Sequence, residues 1–267
     1  MTFVDHLEEL RWHIVRSLIA VIVVAIVLFA NMDWFFDKII LGPIQPDFIS
    51  YDALCRFSHW AGMGDSLCMP AVQAKLQAVT FGSQFISSIS IAFVGGVIIA
   101  FPYIFWEFWK FIKPALTTKE LESTRFAIAF VSFFFFTGAA FGYFLLAPFT
   151  FSFLGNYHLG TGVMLETRPM LSDYVDNLVN ITLGAALAFQ LPVVSYVLTK
   201  IGLITPSFLK TYRKYAFVGI LVVAAIITPS PDWMSQMIVT IPLVLLYEMS
   251  IIISARIHKE EERKMNS

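Results

Sequence analysis

The side chains able to do chemistry in this chain are carboxylates set where apolar segments end. Glu9 precedes the first long apolar run, Glu107 and Glu120 flank the end of the second, Asp232 lies in the turn before the last, and Glu248 sits deep within it. No nucleophile and base stand at workable spacing. There is no G-x-S-x-G, no H-E-x-x-H and no phosphate-cradling glycine loop, and the histidines His6, His13, His59, His158 and His258 are scattered. The chemistry on offer is recognition by ion pairing and hydrogen bonding; no catalytic residue, metal or cofactor is implied.

The stretch from Phe101 to Glu120 concentrates these groups. It starts as the end of an apolar helix, turns aromatic through Trp106, Trp109 and Phe111, and finishes in a charged loop holding Lys119 and Glu120. Trp and Tyr favour the headgroup level, where a ring buries its body and wets its polar edge. Pro114 lacks a backbone donor and disfavours helical geometry at Lys113, so the helix is expected to stop there and expose Ala115 to Glu120.

The elements that must carry this surface are membrane spans. Of 267 residues 58% are hydrophobic and only 14% charged, too few charges to coat a water-soluble globule. Mean hydropathy is +0.74. A net charge of −1, with no basic run interleaved with aromatics, excludes a nucleic-acid groove. Six apolar runs, Ile14–Ala30, Phe85–Phe105, Phe126–Leu146, Leu178–Leu198, Tyr215–Thr228 and Met234–Ile253, predict one six-helix membrane domain across 1–267. Five approach the roughly 20 residues that cross a hydrocarbon core of about 30 Å. The fifth reaches only about 21 Å, and must thin the bilayer or borrow its ends from neighbouring protein. The first run has an acidic as well as basic leader and no small-x-small site after it, so it reads as a retained span. Of the 18 Lys and Arg, 14 fall on the side of the N-terminus. The positive-inside rule then puts both termini, and the Trp109–Glu120 surface, in the cytoplasm.

The first outer loop, 31–84, contains both cysteines. A Cys55–Cys68 disulfide in an oxidising compartment is favoured over two unpaired thiols, at about 3 kcal/mol of stabilisation. The spacing matches no zinc pattern, with only His59 nearby. The second outer loop is expected over Phe149–Tyr174. Gly138 and Gly142 form a small-xxx-small pair, read first as close packing within the chain. Pro192 is expected to kink the fourth span, which favours a concave bundle. Three polar groups of the later spans need separate weighing. Glu248 serves equally well as a functional carboxylate or as one bonded to a neighbouring helix end. Asp232 is read as a helix N-cap. Gln190 has no charge to move and argues against a proton relay.

Taken together, His6-Leu7-Glu8-Glu9-Leu10-Arg11, Phe101-Pro102 through Trp109 to Leu116 with Lys119-Glu120, Phe141-Gly142-Tyr143-Phe144 with Pro148, and Thr228-Pro229 through Asp232, Ser235-Gln236, Pro242 and Leu246-Tyr247-Glu248 resemble the TatC family from end to end. That family is the six-span receptor subunit of the twin-arginine protein translocase. The resemblance implies binding of twin-arginine signal peptides of folded cargo, and assembly with TatA- and TatB-type single-span subunits and further TatC copies in the bacterial inner membrane. It also implies export driven by the proton-motive force. By position, Glu9 and Glu120 match the acids that receive the arginine pair, Phe111 the aromatic beside them, and Arg11 and Pro114 residues shaping the surface. Trp109 and Glu107 complete that set. The segment holding Thr228, Asp232 and Gln236 is the expected dock for a partner helix. Three positions depart: Glu107 falls where a glutamine is frequent, His13 where a basic residue follows the Leu-Arg pair, and Gln190 where a glutamate is common.

A carboxylate suits a guanidinium because two parallel charge-assisted bonds match its fork, which a lysine cannot reproduce. Two other readings compete. An ion-coupled transporter would build a midplane site from Glu248, the kinked fourth span and the short fifth, but no half-to-half repeat is visible. A passive scaffold would tolerate neutral residues at Glu9 and Glu120.

Overall fold

Apolar runs of this length leave backbone N–H and C=O groups without water, so they must satisfy those groups internally as helices. The computed structural model bears this out over the residues it describes, 3–60, 62, 64, 65, 68, 70, 75–112, 127–157, 168–200, 202–228 and 233–265. Regular structure among them is helical, apart from one isolated bridge between Gln77 and Met170. In chain order the helices are α1 Phe3–Ala30, α2 Met32–Phe35, α3 Ile49–Trp60, α4 Ser83–Ile112, α5 Ala127–Phe141, α6 Ala147–Asn156, α7 Leu171–Ala188, α8 Leu191–Lys200, α9 Pro206–Thr211, α10 Arg213–Ile227 and α11 Trp233–Met265. Five stretches are long and apolar enough to cross a membrane: Glu8–Ala30, Ser83–Ile112, Ile128–Asn156, Leu171–Lys200 and Gln236–Lys259. The chain is an all-α polytopic membrane protein. The fifth expected run is α10, whose 15 residues rise only about 22 Å.

Two expected boundaries shift. The third span does not end at Leu146, because a π-turn at Gly142–Leu146 feeds directly into α6, and Phe149 to Asn156 are helical rather than loop. Pro148 follows at the second residue of α6, and the wider turn before it accommodates a residue with no N–H to donate. The fourth run begins earlier, at Leu171, and breaks at Phe189–Gln190, so Pro192 again falls in a first turn, that of α8. The segment around Pro114 to Glu120, and Asp232 with the cap expected of it, lie outside the described residues.

The chain divides into two compact units, and each stands on its own contacts. The first comprises Met1–Gly42, Lys75–Phe133 and Arg168–Val179. In it α1 packs along α4, with Phe29 edge-on to Phe85 at 6.3 Å. The Tyr174 hydroxyl donates to the Ile40 carbonyl at 2.5 Å, and Gln77 exchanges backbone bonds with Pro169 and Leu171 at 3.0 and 2.9 Å.

The second unit comprises Pro43–Ala74, Phe134–Thr167 and Asn180–Ser267. Here α5 meets α7 at its glycines. A Cβ on Gly138 would come within 2.7 Å of the Ala185 carbonyl oxygen, and one on Gly142 within 2.9 Å of the Ile181 carbonyl oxygen. The close approach read from the small-xxx-small pair is therefore made inside the chain. Helix α11 is the centre of this unit: α8 joins it through a buried Thr199-to-Ser254 hydroxyl bond of 2.8 Å, and α9 through the Tyr247 hydroxyl donating to the Leu209 carbonyl at 2.8 Å. A bare apolar interface would lack such pairs, which fix the register of one helix on another.

Candidate functional site

Helices α1 and α4 run antiparallel in the first unit, so their outer turns, carrying Glu9 and Arg11 on one and Trp109 and Phe111 on the other, come to the same end. What fixes that end is a buried charge cluster. Glu107 is only 1% exposed. Its Oε2 lies 2.6 Å from Nδ1 of His13, which is itself buried, and its Oε1 accepts from Lys110 Nζ at 3.0 Å. Arg16 Nη1 stands 3.8 Å from the same carboxylate. A lone carboxylate at that depth would be costly, but three basic groups and two short hydrogen bonds compensate it. The His13 ring also meets Phe111 edge-on at 6.3 Å.

One helical turn beyond His13 is Glu9, and one turn beyond Glu107 is Phe111. Glu9 is half-buried and has no ion-pair partner among the described residues. Arg11 is exposed, its guanidinium 5.8 Å from the Trp12 ring. On α4, Lys110 Nζ lies 3.8 Å over the Trp106 ring, and Trp109 stacks on Phe105 at 6.2 Å. A cation held over an indole beside exposed Phe108 is a membrane-surface arrangement, wet at one edge and apolar beneath. Glu107, grouped from the sequence with the signal-peptide-binding residues, is buried and bonded to His13 and Lys110. Sequence reasoning did not pair it with His13. The available signal was position: His13 lies near the start of the first span and Glu107 near the end of the second, ends that an antiparallel pair of spans brings together.

Glu248, Thr228, Gln236 and Gln190 fall in the second unit, and each makes a hydrogen bond there. Glu248 Oε2 accepts from Arg213 Nη2, at the start of the neighbouring helix α10, at 2.6 Å. Thr228 is buried and donates to the Ala224 carbonyl at 2.9 Å. Gln236 Nε2 donates to the Leu221 carbonyl at 3.3 Å, tying α11 to α10. Gln190 Nε2 lies 3.5 Å from the Ala186 carbonyl of its own preceding turn.

In the first outer loop Cys55 and Cys68 are joined by a disulfide. His59 and Asp65, 2.9 Å apart, stand beside it, and all four donor groups lie within 4.8 Å of one another. With both sulfurs bonded to each other, two donors remain, too few for the tetrahedral set of a structural zinc.

Comparison with known proteins agrees with this geometry. The family model described as "Sec-independent protein translocase protein (TatC)" matches residues 5–242. The Sec-independent protein translocase protein TatC of Blattabacterium sp. subsp. Periplaneta americana (strain BPLAN) is 39% identical over 270 residues, covering 98% of this chain and 97% of that one. The protein of the same name from Carboxydothermus hydrogenoformans is 30% identical, covering 99% and 98%. A crystal structure described as the twin-arginine translocase receptor TatC superposes with a TM-score of 0.69 at 32% identity, over 93% of this chain and 97% of that one. With a family model over most of its length, relatives matched nearly end to end and a fold shared with a solved member, the chain belongs to the TatC family of Sec-independent protein translocase proteins.

Proposed function

We propose that this chain is the signal-peptide receptor and core subunit of a twin-arginine translocase in a bacterial inner membrane, with both termini cytoplasmic. It takes the twin-arginine motif of folded precursors at the α1–α4 end. The observation that carries the reading is Glu9, half-buried and without an ion-pair partner among the described residues, one helical turn from the His13–Glu107–Lys110 cluster whose His13 ring meets Phe111. An exposed ion pair contributes only about 0.2–1 kcal/mol. A carboxylate set among aromatic rings at a lipid surface works in a lower dielectric and stabilises a guanidinium more.

In this proposal Glu9 and Glu120 receive the two arginines, and Phe111 and Trp109 cover the apolar residues that follow. Arg11 and Pro114 shape the surface, and Glu107 keeps α1 and α4 in register from below. TatA- and TatB-type helices and neighbouring TatC copies complete the complex, the proton-motive force drives export, and no bond is made or broken in the cargo. The weight of Lys and Arg on one side of the spans supports the cytoplasmic placing of both ends.

The test is photocrosslinking in native membranes of a twin-arginine signal peptide against its twin-lysine counterpart. The arginine peptide is expected to be captured by the wild type and lost from Glu9→Ala and Glu120→Ala, with both variants still inserted. Equal capture of the two peptides would overturn the reading and bring the passive scaffold forward.

A further inference from the structure

Five positive charges of the second unit line one groove that the proposed receptor surface does not use. Two adjoining clefts, of about 410 and 360 Å³, share Arg213 and Glu248 as a common wall. The rim of the groove is cationic: Lys210, Arg213 and Lys214 from the α9–α10 corner, and Arg256 and Lys259 from the last turns of α11. Among the described residues lining it the only carboxylate, Glu248, is bonded to Arg213 at 2.6 Å, which leaves Lys210, Lys214, Arg256 and Lys259 to the rim. The floor is apolar, built from Phe217, Ile220 and Val244 on one side of the pair and Ile251 and Ile252 on the other.

A cationic rim over an apolar floor, where two membrane helices meet at their polar ends, is complementary to one amphiphile. We propose that this groove binds an anionic phospholipid, its phosphate among Lys210, Arg256 and Lys259 and an acyl chain along Phe217, Ile220 and Val244. Cations clustered at a membrane surface attract anionic lipid over zwitterionic lipid. The apolar floor adds a requirement for the chain as well as the charge. The Arg213–Glu248 pair ties α10 to α11 at the wall the two clefts share.

The experiment uses the full-length chain purified in detergent and titrated separately with phosphatidylglycerol, phosphatidylcholine of the same acyl chains, and glycerol phosphate. Lipid retained is counted by native mass spectrometry. Phosphatidylglycerol is expected to be retained at a concentration at least about tenfold lower than phosphatidylcholine. That preference is expected to vanish in the triple variant Lys210→Gln, Arg256→Gln, Lys259→Gln, while phosphatidylcholine retention stays unchanged. A control variant, Lys38→Gln with Arg56→Gln, removes charge at other sites and is expected to keep the preference. Equal retention of the two lipids by the wild type, or loss of the preference in the control, would overturn the proposal. So would displacement of phosphatidylglycerol by glycerol phosphate at equal concentration, which would make the groove a site for free phosphate with no part for the acyl chain.

Discussion

A carboxylate 1% exposed between two membrane helices is the residue on which the first unit turns. Removing one partner of a buried, hydrogen-bonded charge pair costs more than the pair itself contributes, because the other charge is left stranded. Here Lys110 and Arg16 remain for Glu107 when His13 is lost. His13→Ala is therefore expected to destabilise by about 1–3 kcal/mol, the low side of a buried-pair rupture. Glu107→Gln, which keeps an acceptor for His13 and removes the charge to be buried, is expected to cost under about 1 kcal/mol. Thermal unfolding in detergent of the two variants and their double gives the coupling; a coupling near zero would mean that the 2.6 Å contact holds nothing. The residue-level pattern pointed to both positions as departures from the family, yet each alone is uninformative. Only the packing of α1 on α4 turns a histidine and a glutamate on separate spans into one interaction. Tyr51 gives a pH test outside the spans. Burial pushes its phenol up to about 12, and its hydroxyl donates to the Pro43 carbonyl at 2.8 Å. The folded value lies above the unfolded one, so the contribution is complete below about pH 10 and is lost as pH rises towards 12. The stability difference between wild type and Tyr51→Phe, about 1 kcal/mol at neutral pH, is expected to shrink over that window.

Among the elements, those legible in the sequence are the ones whose signal is local. Length and unbroken hydropathy define the helices of α1, α4 and α11 whatever they pack against. Helix α3 escaped such a reading because it is short and mixed, with Asp52, Arg56 and His59 among its apolar residues, and is tied down by tertiary bonds such as Ser58 Oγ to the Gly64 carbonyl at 2.6 Å. The continuation of α5 into α6 escaped it for another reason: Pro148 reads as a terminator unless the preceding turn widens, as it does at Gly142–Leu146. The contact of α5 with α7 can be tested directly. Gly138→Ala sets a methyl 2.7 Å from a carbonyl oxygen and 2.9 Å from the Ala186 Cα, atoms that cannot rotate away, so the helices must part. The expected loss is about 1–3 kcal/mol, read as a lowered unfolding midpoint. Gly219, where an added Cβ meets nothing within 4 Å, is the matched control: Gly219→Ala is expected to leave the midpoint unchanged or raised.

For the whole molecule the feature with most consequence is a helix too short for its setting. Helix α10 carries Arg213, Lys214 and Tyr215 at one end, groups that belong at a headgroup surface, and from there its 15 residues rise about 22 Å into a hydrocarbon layer of about 30 Å. Its far end then falls short of the opposite surface unless the bilayer thins to meet it. Thr228 argues against thinning. It is buried and spends its hydroxyl on the Ala224 carbonyl of its own helix, as a chain end without water must. Ile226 is 75% exposed, so a fluorophore there reports the depth of that end directly. In bilayers of brominated lipids, a probe at Ile226 is expected to be quenched best by bromines part-way along the acyl chains. Maximal quenching from headgroup-level bromines would show instead that the membrane thins to the helix. If the end does lie in hydrocarbon, the neighbouring Gln236, bonded to the Leu221 carbonyl through one amide hydrogen, keeps a carbonyl oxygen and a second amide hydrogen for a partner helix. Gln236→Leu is then expected to abolish crosslinking of a TatA- or TatB-type helix to this edge while leaving twin-arginine peptide capture at the α1–α4 end intact. Loss of both together would mean that the partner dock and the receptor surface are not separate sites.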